Sequence, residues 1–110
     1  MNDNDITMSH IHEAMALCGY DLDEVMTNRT RKRKYVDLRS VAWGLYSEET
    51  GCSPGAVGRA FGWDRCTVRY SIKKARILTK IDREYRNLYD AIYGFYMMLE
   101  SKDENGNLQS

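Results

Sequence analysis

Apolar residues recur at intervals of three and four along most of this chain, and that spacing constrains its fold more than any other feature. One such series is Tyr35, Leu38, Ala42 and Leu45, and a longer one runs through residues 81–99. This periodicity predicts amphipathic helices, whereas no segment shows the apolar–polar alternation of a strand. We therefore expect an all-α fold with about six helices.

Residues with strong capping preferences divide the chain into separate helices. Gly19 is placed to end the first helix, and Asp21 to begin a short second one. Ser53 followed by Pro54 has the pattern of an N-cap and a first helical residue, and Asp64 is placed to cap the next helix. The later helices are predicted over about Lys34–Ser47, Ser53–Phe61 and Arg65–Thr79, with a last helix from Asp82.

The chain has 110 residues, which fits a single domain. We expect disordered segments at residues 1–8 and 101–110, which are polar, and a helical domain over residues 9–100. The first ten residues do not resemble a secretory signal, and no apolar run approaches the ~20 residues that span a bilayer. The prediction is a soluble cytoplasmic protein without a membrane segment.

The cysteines and histidines give little indication of a metal or a catalytic centre. Cys18, Cys52 and Cys66 are odd in number and widely spaced, which argues against a disulfide framework and suits a reducing cytosol. His10 and His12 lie near Cys18 and could ligate a metal, but they also fit the polar first turn of a helix. Because no CxxC pair and no catalytic set occurs, we expect no metal, no cofactor, no small-molecule substrate and no enzymatic activity.

A net charge of zero hides a strong segregation of charge along the chain. Residues 1–28 carry six acidic and no basic residues, residues 29–86 carry fifteen basic and six acidic residues, and the remainder is acidic again. Arginine outnumbers lysine by ten to five in the basic middle, and arginine is preferred for contacts with phosphate and guanine. This distribution predicts a surface that meets a polyanion.

The segment of residues 53–79 has the organisation of a helix-turn-helix. Two predicted helices flank the short turn Phe61-Gly62-Trp63, and the second begins with Asp64-Arg65. An arginine at a helix N-terminus is unfavourable in isolation but suits a helix end that faces DNA. Further basic residues follow Arg65 on one strip of this helix; they are Arg69, Lys73, Arg76 and Lys80.

The residues from Ser53 to Val68 resemble a known signature. It belongs to the C-terminal DNA-binding domain of the bacterial chromosomal replication initiator DnaA and reads S-L-P-E-I-G-x-x-F-G-G-R-D-H-[ST]-T-V. The shared residues are Ser53, Val57-Gly58, Phe61-Gly62, Asp64 and Thr67-Val68. The basic run and helix from Arg31 to Ala42 resemble the preceding part of that domain, and the similarity extends over roughly residues 10–92.

The resemblance implies sequence-specific binding to double-stranded DNA, in replication initiation or its control, or in transcription regulation. It implies base-reading positions at Asp64, Arg65, Cys66 and Thr67. It implies a basic loop that engages the minor groove and backbone through Arg31, Arg33 and Arg39. Phosphate contacts are expected from Lys32, Lys34, Arg59, Arg69 and Lys73.

Several departures from the family pattern affect these expectations. Arg65 replaces the family's histidine, Cys66 its first hydroxyl residue and Ser40 its glutamine, and one glycine of the turn is absent. The family's DNA sequence is therefore not expected to be retained. The chain also lacks the phosphate-binding loop of the initiator's ATPase module, which suggests a free-standing, phage-like or accessory protein associated with the nucleoid.

The last predicted helix has more apolar residues than one buried stripe requires. Tyr89, Tyr93 and Tyr96 lie outside its main series, and they suggest a homodimer or a replication-protein partner unless both stripes pack on the N-terminal helices. This leaves two alternatives to specific DNA binding. One is a protein-interaction module that uses this helix, and the other is a non-specific architectural DNA binder.

Overall fold

The computed structural model describes residues 2–109 of the chain, and side chains over residues 2–102. Within this range the protein is built from six helices and contains no strand, which confirms the predicted all-α class. The helices are α1 (Asp3–Leu17), α2 (Leu22–Thr27), α3 (Arg33–Thr50), α4 (Pro54–Phe61), α5 (Arg65–Ile81) and α6 (Arg83–Gln109).

The capping residues act as the sequence predicts. The Asp21 carboxylate accepts hydrogen bonds from the amides of Asp23 and Glu24, at 3.0 and 3.4 Å. The Ser53 hydroxyl accepts one from the amide of Ala56 at 3.3 Å, and Pro54 is the first residue of α4. Each cap satisfies donors that a helix N-terminus otherwise leaves without partners, and this fixes where the helices begin.

The two ends of the chain differ from the expected disordered segments. Helix α1 begins at Asp3, because Asn2 caps it by accepting a hydrogen bond from the amide of Asp5 at 2.8 Å. Acidic residues in the first turn also favour the helix through its dipole. At the other end α6 continues to Gln109, and most of the expected tail, residues 101–110, lies outside the described side chains.

Helix α3 occupies the centre of the fold, where it contacts each of the other five helices. Trp43 is its largest buried side chain, and Tyr85 and Tyr96 bring α6 into the same core. Burial raises the pKa of Tyr85 to about 12, so its hydroxyl is protonated at neutral pH and shares a hydrogen bond of 2.9 Å with Ser40. The core therefore holds α3 and α6 in register.

The junction between α4 and α5 is tight for a steric reason. Gly62 ends α4 in the left-handed region at φ 75°, where a side chain would be strained. At Gly58 a Cβ atom would lie 2.4 Å from the carbonyl oxygen of Trp63, so only glycine permits this approach. The amide of Trp63 donates to the Gly58 carbonyl at 2.9 Å. These contacts fix the start of α5 relative to α4.

The two histidines of the possible metal pair take separate partners. The Nδ1 atom of His10 lies 3.1 Å from Glu100, whereas Nε2 of His12 lies 3.8 Å from Asp23. No group of three or more metal-ligating side chains occurs among the described residues. In the same part of the chain, none of the helices combines the length and the apolar character that crossing a bilayer requires.

Candidate nucleic-acid interface

Helix α5 carries an unusual surface. It contains six basic residues and no acidic residue, and all six are exposed. Val68 and Ala75 face the core, whereas Tyr70 on the opposite side is 67 % exposed. Within the described side chains, none of these six cations forms an ion pair. Helix α5 thus presents positive charge that the protein itself does not neutralise.

A cleft of about 350 Å³ separates α5 from the connector between α2 and α3. We call it the basic cleft. Arg31 lines it from the connector, and Thr67, Tyr70 and Lys74 line it from α5. Its other lining residues are Arg29, Thr30, Val36, Arg39, Trp43, Trp63 and Ser71. The cleft brings the connector beside the N-terminal half of α5, two regions that lie far apart in the sequence.

Trp63 in the α4–α5 turn holds the connector in this position. Its indole nitrogen donates to the carbonyl of Met26 at 2.9 Å. The guanidinium of Arg29 lies 4.0 Å from the centre of the Trp63 ring and donates to the carbonyl of Gly62 at 2.9 Å. A cation over an indole face and two hydrogen bonds together fix the connector against the turn.

Arg39 does not reach the surface, which corrects its expected role in binding DNA. Its side chain is 5 % exposed, and it donates to the carbonyls of Asn28 and Thr30 at 2.7 and 2.6 Å. The guanidinium also lies 4.7 Å from the centre of the Trp63 ring. Burial and then the charge of nearby Arg29 lower its pKa. Arg39 is therefore a structural residue that shapes the connector.

Arg33 is exposed, but acidic partners already surround it. It forms ion pairs with Asp82, with Asp37 at 3.3 Å and with Glu84 at 3.8 Å. Lys34 has an aromatic partner instead, with its Nζ atom 5.1 Å from the centre of the Tyr20 ring. Their expected DNA contacts would require these partners to be given up, whereas Lys32 is exposed and keeps its side chain in solvent.

Asp64 and Thr67, two of the expected base-reading residues, are bound to each other. The two carboxylate oxygens of Asp64 accept from the Thr67 hydroxyl at 2.6 Å and from its amide at 2.9 Å. These bonds, first the one from the hydroxyl, lower the pKa of Asp64 and keep it ionised. A capping carboxylate whose oxygens are occupied is a poor reader of bases, so we assign Asp64 to helix capping instead.

Arg65 lies on the flank of α5 that faces away from the basic cleft. It lies beside α4: a side chain at Gly55 would place its Cβ atom 3.4 Å from the Cδ atom of Arg65 and 3.6 Å from the Nη1 atom of Arg59. At about 100° per residue, Arg65 and Thr67 are some 200° apart around the helix when the angle is measured across its exposed face. Cys66, Tyr70 and Lys73 lie between them, all exposed. The exposed face of α5 therefore has a basic border on either side.

The tyrosines of α6 do not form a free stripe. Tyr96 is 1 % exposed and donates to Glu100 at 2.7 Å, so it belongs to the core and not to a partner face. Tyr89 is half-buried, donates to Glu48 at 3.2 Å and stacks on Tyr93 with ring centres 5.8 Å apart. The stripe of Tyr89, Tyr93 and Tyr96 packs largely within the chain because α1 and the end of α3 cover it.

Four residues of the interface were not singled out from the sequence as site residues. Tyr70 and Lys74 could have been found, because the predicted buried positions of α5 place them on the opposite face. Arg29 belonged to the basic run, but nothing local showed that it would stack on Trp63. The position of Trp63 depends on α2, α3 and the turn together, and no short motif encodes it.

The chain matches no protein-family model, no curated protein and no solved structure. The geometry of the residues themselves therefore carries the functional argument.

Proposed function

We propose that this protein binds double-stranded DNA with the N-terminal half of α5, in the manner of a helix-turn-helix with α4 as its first helix. One observation carries the proposal: α5 has six exposed cations without an acidic partner among the described side chains, and it faces exposed Arg31 across the basic cleft. A surface of this kind repels itself in the free protein, and a polyanion relieves that repulsion.

The arrangement fits the dimensions of a duplex. The major groove of B-DNA is about 12 Å wide and admits one helix. With α5 in the groove, Arg59 and Arg69 would approach one phosphate backbone, and Arg31 with Lys74 would approach the other. The residues between the two flanks, Cys66, Tyr70 and Lys73, would face the base edges. Arg65 at the helix start remains the residue best suited to a guanine.

The resemblance of Ser53–Val68 to the DnaA signature supports the same proposal and suggests its biological setting. We infer a role in replication initiation or its control, or in transcription regulation. In this proposal Trp63 lies in a turn that lacks one of the family's glycines, and it gives the connector a fixed position relative to α5.

Fluorescence anisotropy with duplexes selected from a random pool tests this function. We expect binding that weakens steeply with salt, with a slope on logarithmic axes that falls by about 1 for each phosphate-contacting cation removed. Arg31→Gln and Lys74→Gln should each produce this change. Arg83→Gln is the matched control, because Arg83 is exposed but lies beyond the C-terminal end of α5. Helix α5 has 17 residues, so Arg83 is about 25 Å from the N-terminal end of α5, where DNA is expected to bind.

Two outcomes would point to the other functions. Equal competition by unrelated DNA would indicate a non-specific architectural binder, because specific sites are usually preferred by ~10³ or more. Absence of binding at low salt would contradict the proposal and favour a protein-interaction module. In that case Met97 and Met98, 45 % and 50 % exposed on α6, are the first residues to test.

A further inference from the structure

A second cavity, of about 420 Å³, lies between α3, α5 and α6, beside the buried face of α5 and away from the basic cleft. Small-molecule sites in proteins typically have volumes of 300–1,000 Å³. Its apolar lining comes from Gly44, Ile72 and Ala75. Its polar lining comes from Ser47, Glu48, Arg76, Thr79, Arg86, Tyr89 and Asp90. The cavity therefore combines an apolar floor with several charged groups.

Gly44 keeps the floor of this cavity open. It lies in the interior of α3, where glycine weakens a helix relative to alanine. Its backbone does not require glycine, because its φ is not in the positive range. A Cβ atom at Gly44 would meet no atom within 4 Å, so close packing does not require glycine either. What the missing side chain provides is space inside the cavity.

The charged groups around the cavity are of both signs. Arg76 and Arg86 contribute two cations, and Glu48 and Asp90 contribute two carboxylates. Among the described side chains none of these four forms an ion pair, although they line one cavity. Glu48 accepts one hydrogen bond from the Tyr89 hydroxyl at 3.2 Å, which leaves most of its acceptor capacity available. The lining can therefore pair with an anion and a cation at the same time.

We propose that this cavity binds a small zwitterion with an apolar body, of which a free α-amino acid with a large apolar or aromatic side chain is the simplest class. Its carboxylate would pair with Arg76 and Arg86, and its ammonium group with Glu48 and Asp90. Its side chain would cover Gly44 and Ile72. This inference does not depend on DNA binding, since no residue of the basic cleft takes part and only Arg76 also belongs to the six cations of α5.

Titration of the full chain with L-tryptophan, followed by amide NMR without DNA, tests the proposal. We expect saturable shifts at Gly44, Ile72 and Ala75, with at least tenfold weaker binding of tryptamine and of indole-3-propionate, which each lack one charge. Arg76→Gln and Arg86→Gln should also weaken binding at least tenfold. L-Phenylalanine and L-leucine serve as further probes. Absence of saturable shifts with all three amino acids, or equal binding of the singly charged analogues, would overturn the proposal.

Two glycine variants separate binding from stability. Gly44→Ala and Gly94→Ala both replace a helical glycine whose Cβ would meet nothing within 4 Å, and Gly94 is exposed on α6. Both variants should raise the melting temperature, because alanine favours helices. Only the change at Gly44 should weaken the binding of L-tryptophan, and Gly44→Leu should abolish that binding. Wild-type affinity in a folded Gly44→Leu protein would contradict a ligand at this position.

Discussion

Two basic regions meet at the basic cleft, and they use their cations differently. In the connector and the start of α3, Arg29 stacks on Trp63, Arg33 pairs with acids and Arg39 is buried against carbonyl groups. On α5, by contrast, all six cations remain in solvent. A dense run of positive charge therefore does not identify a binding surface by itself. The feature that favours a binding surface is the absence of acidic partners within the described side chains.

Arg39→Met is expected to give the largest effect. The substitution leaves the carbonyls of Asn28 and Thr30 without their donor and removes a cation packed on Trp63. Hydrogen bonds to charged groups contribute about 1.5–3 kcal/mol each, so the loss of two should lower the free energy of unfolding by ~3–6 kcal/mol. Urea denaturation measures the change. Arg65→Met is the control and should stay within ~0.5 kcal/mol of the wild type. The reverse result would contradict the division between the two regions.

Arg65→Ala should affect DNA recognition instead of folding. If Arg65 reads a guanine, the variant should lose roughly 1–3 kcal/mol of discrimination at one base pair. Arg33→Gln is the comparison, because its cation is already paired with acids, and it should leave discrimination unchanged. Competition assays with single-base variants of the selected duplex measure both. A uniform loss of affinity for all sequences in Arg65→Ala would assign this residue to phosphate contact.

Trp63→Phe should have an intermediate effect that links the regions. It removes the hydrogen bond to the Met26 carbonyl, for which ~1 kcal/mol is typical, and reduces the surface beneath Arg29. We expect a comparable loss of unfolding free energy. DNA affinity should also fall, because the connector that carries Arg31 becomes less ordered. Unchanged affinity in a folded variant would mean that the position of the connector does not contribute to binding.

The sequence predicts the helices better than it predicts the site, for a physical reason. Caps such as Ser53 and Asp64 act on amides within three residues, so local chemistry is enough to place them. The start of α1 was missed because the residues that promote it, Asn2 and the acids after it, resemble a polar disordered end. Helix periodicity likewise locates Val68 and Ala75 in the core.

The site requires long-range information. Arg39 follows buried Leu38, so the helical periodicity of α3 is compatible with its burial. The carbonyl groups that Arg39 contacts, however, belong to the connector, whose path is set by Trp63. Arg33 similarly finds Asp82, which is distant in sequence. The exposure of the α5 cations could be predicted from the sequence of that helix alone, because it follows from which face of the helix carries the apolar residues.

The smallest expected effect is a pH dependence at the acidic partners of Arg33 that the six cations of α5 should lack. The amide of Tyr85, and then the guanidinium of Arg33, hold the pKa of Asp82 below its usual value of about 3.9. Because the pKa of Asp82 is lower in the folded than in the unfolded protein, ionised Asp82 stabilises the fold fully when the pH is above its unfolded pKa. This stabilisation is lost as the pH falls through its folded pKa. Urea midpoints between pH 6 and pH 2 should show this loss.

Asp82→Asn isolates this contribution, because asparagine still caps α6 but cannot ionise. The variant should be less stable than the wild type at pH 6, and the difference should vanish towards pH 2. Lys73→Gln on α5 removes a cation that has no acidic partner within the described residues, so its difference from the wild type should not vary over this range. A constant difference for Asp82→Asn would mean that the ionised form of Asp82 does not stabilise the fold. The contrast between the two regions would then rest on Arg39 and Trp63 alone.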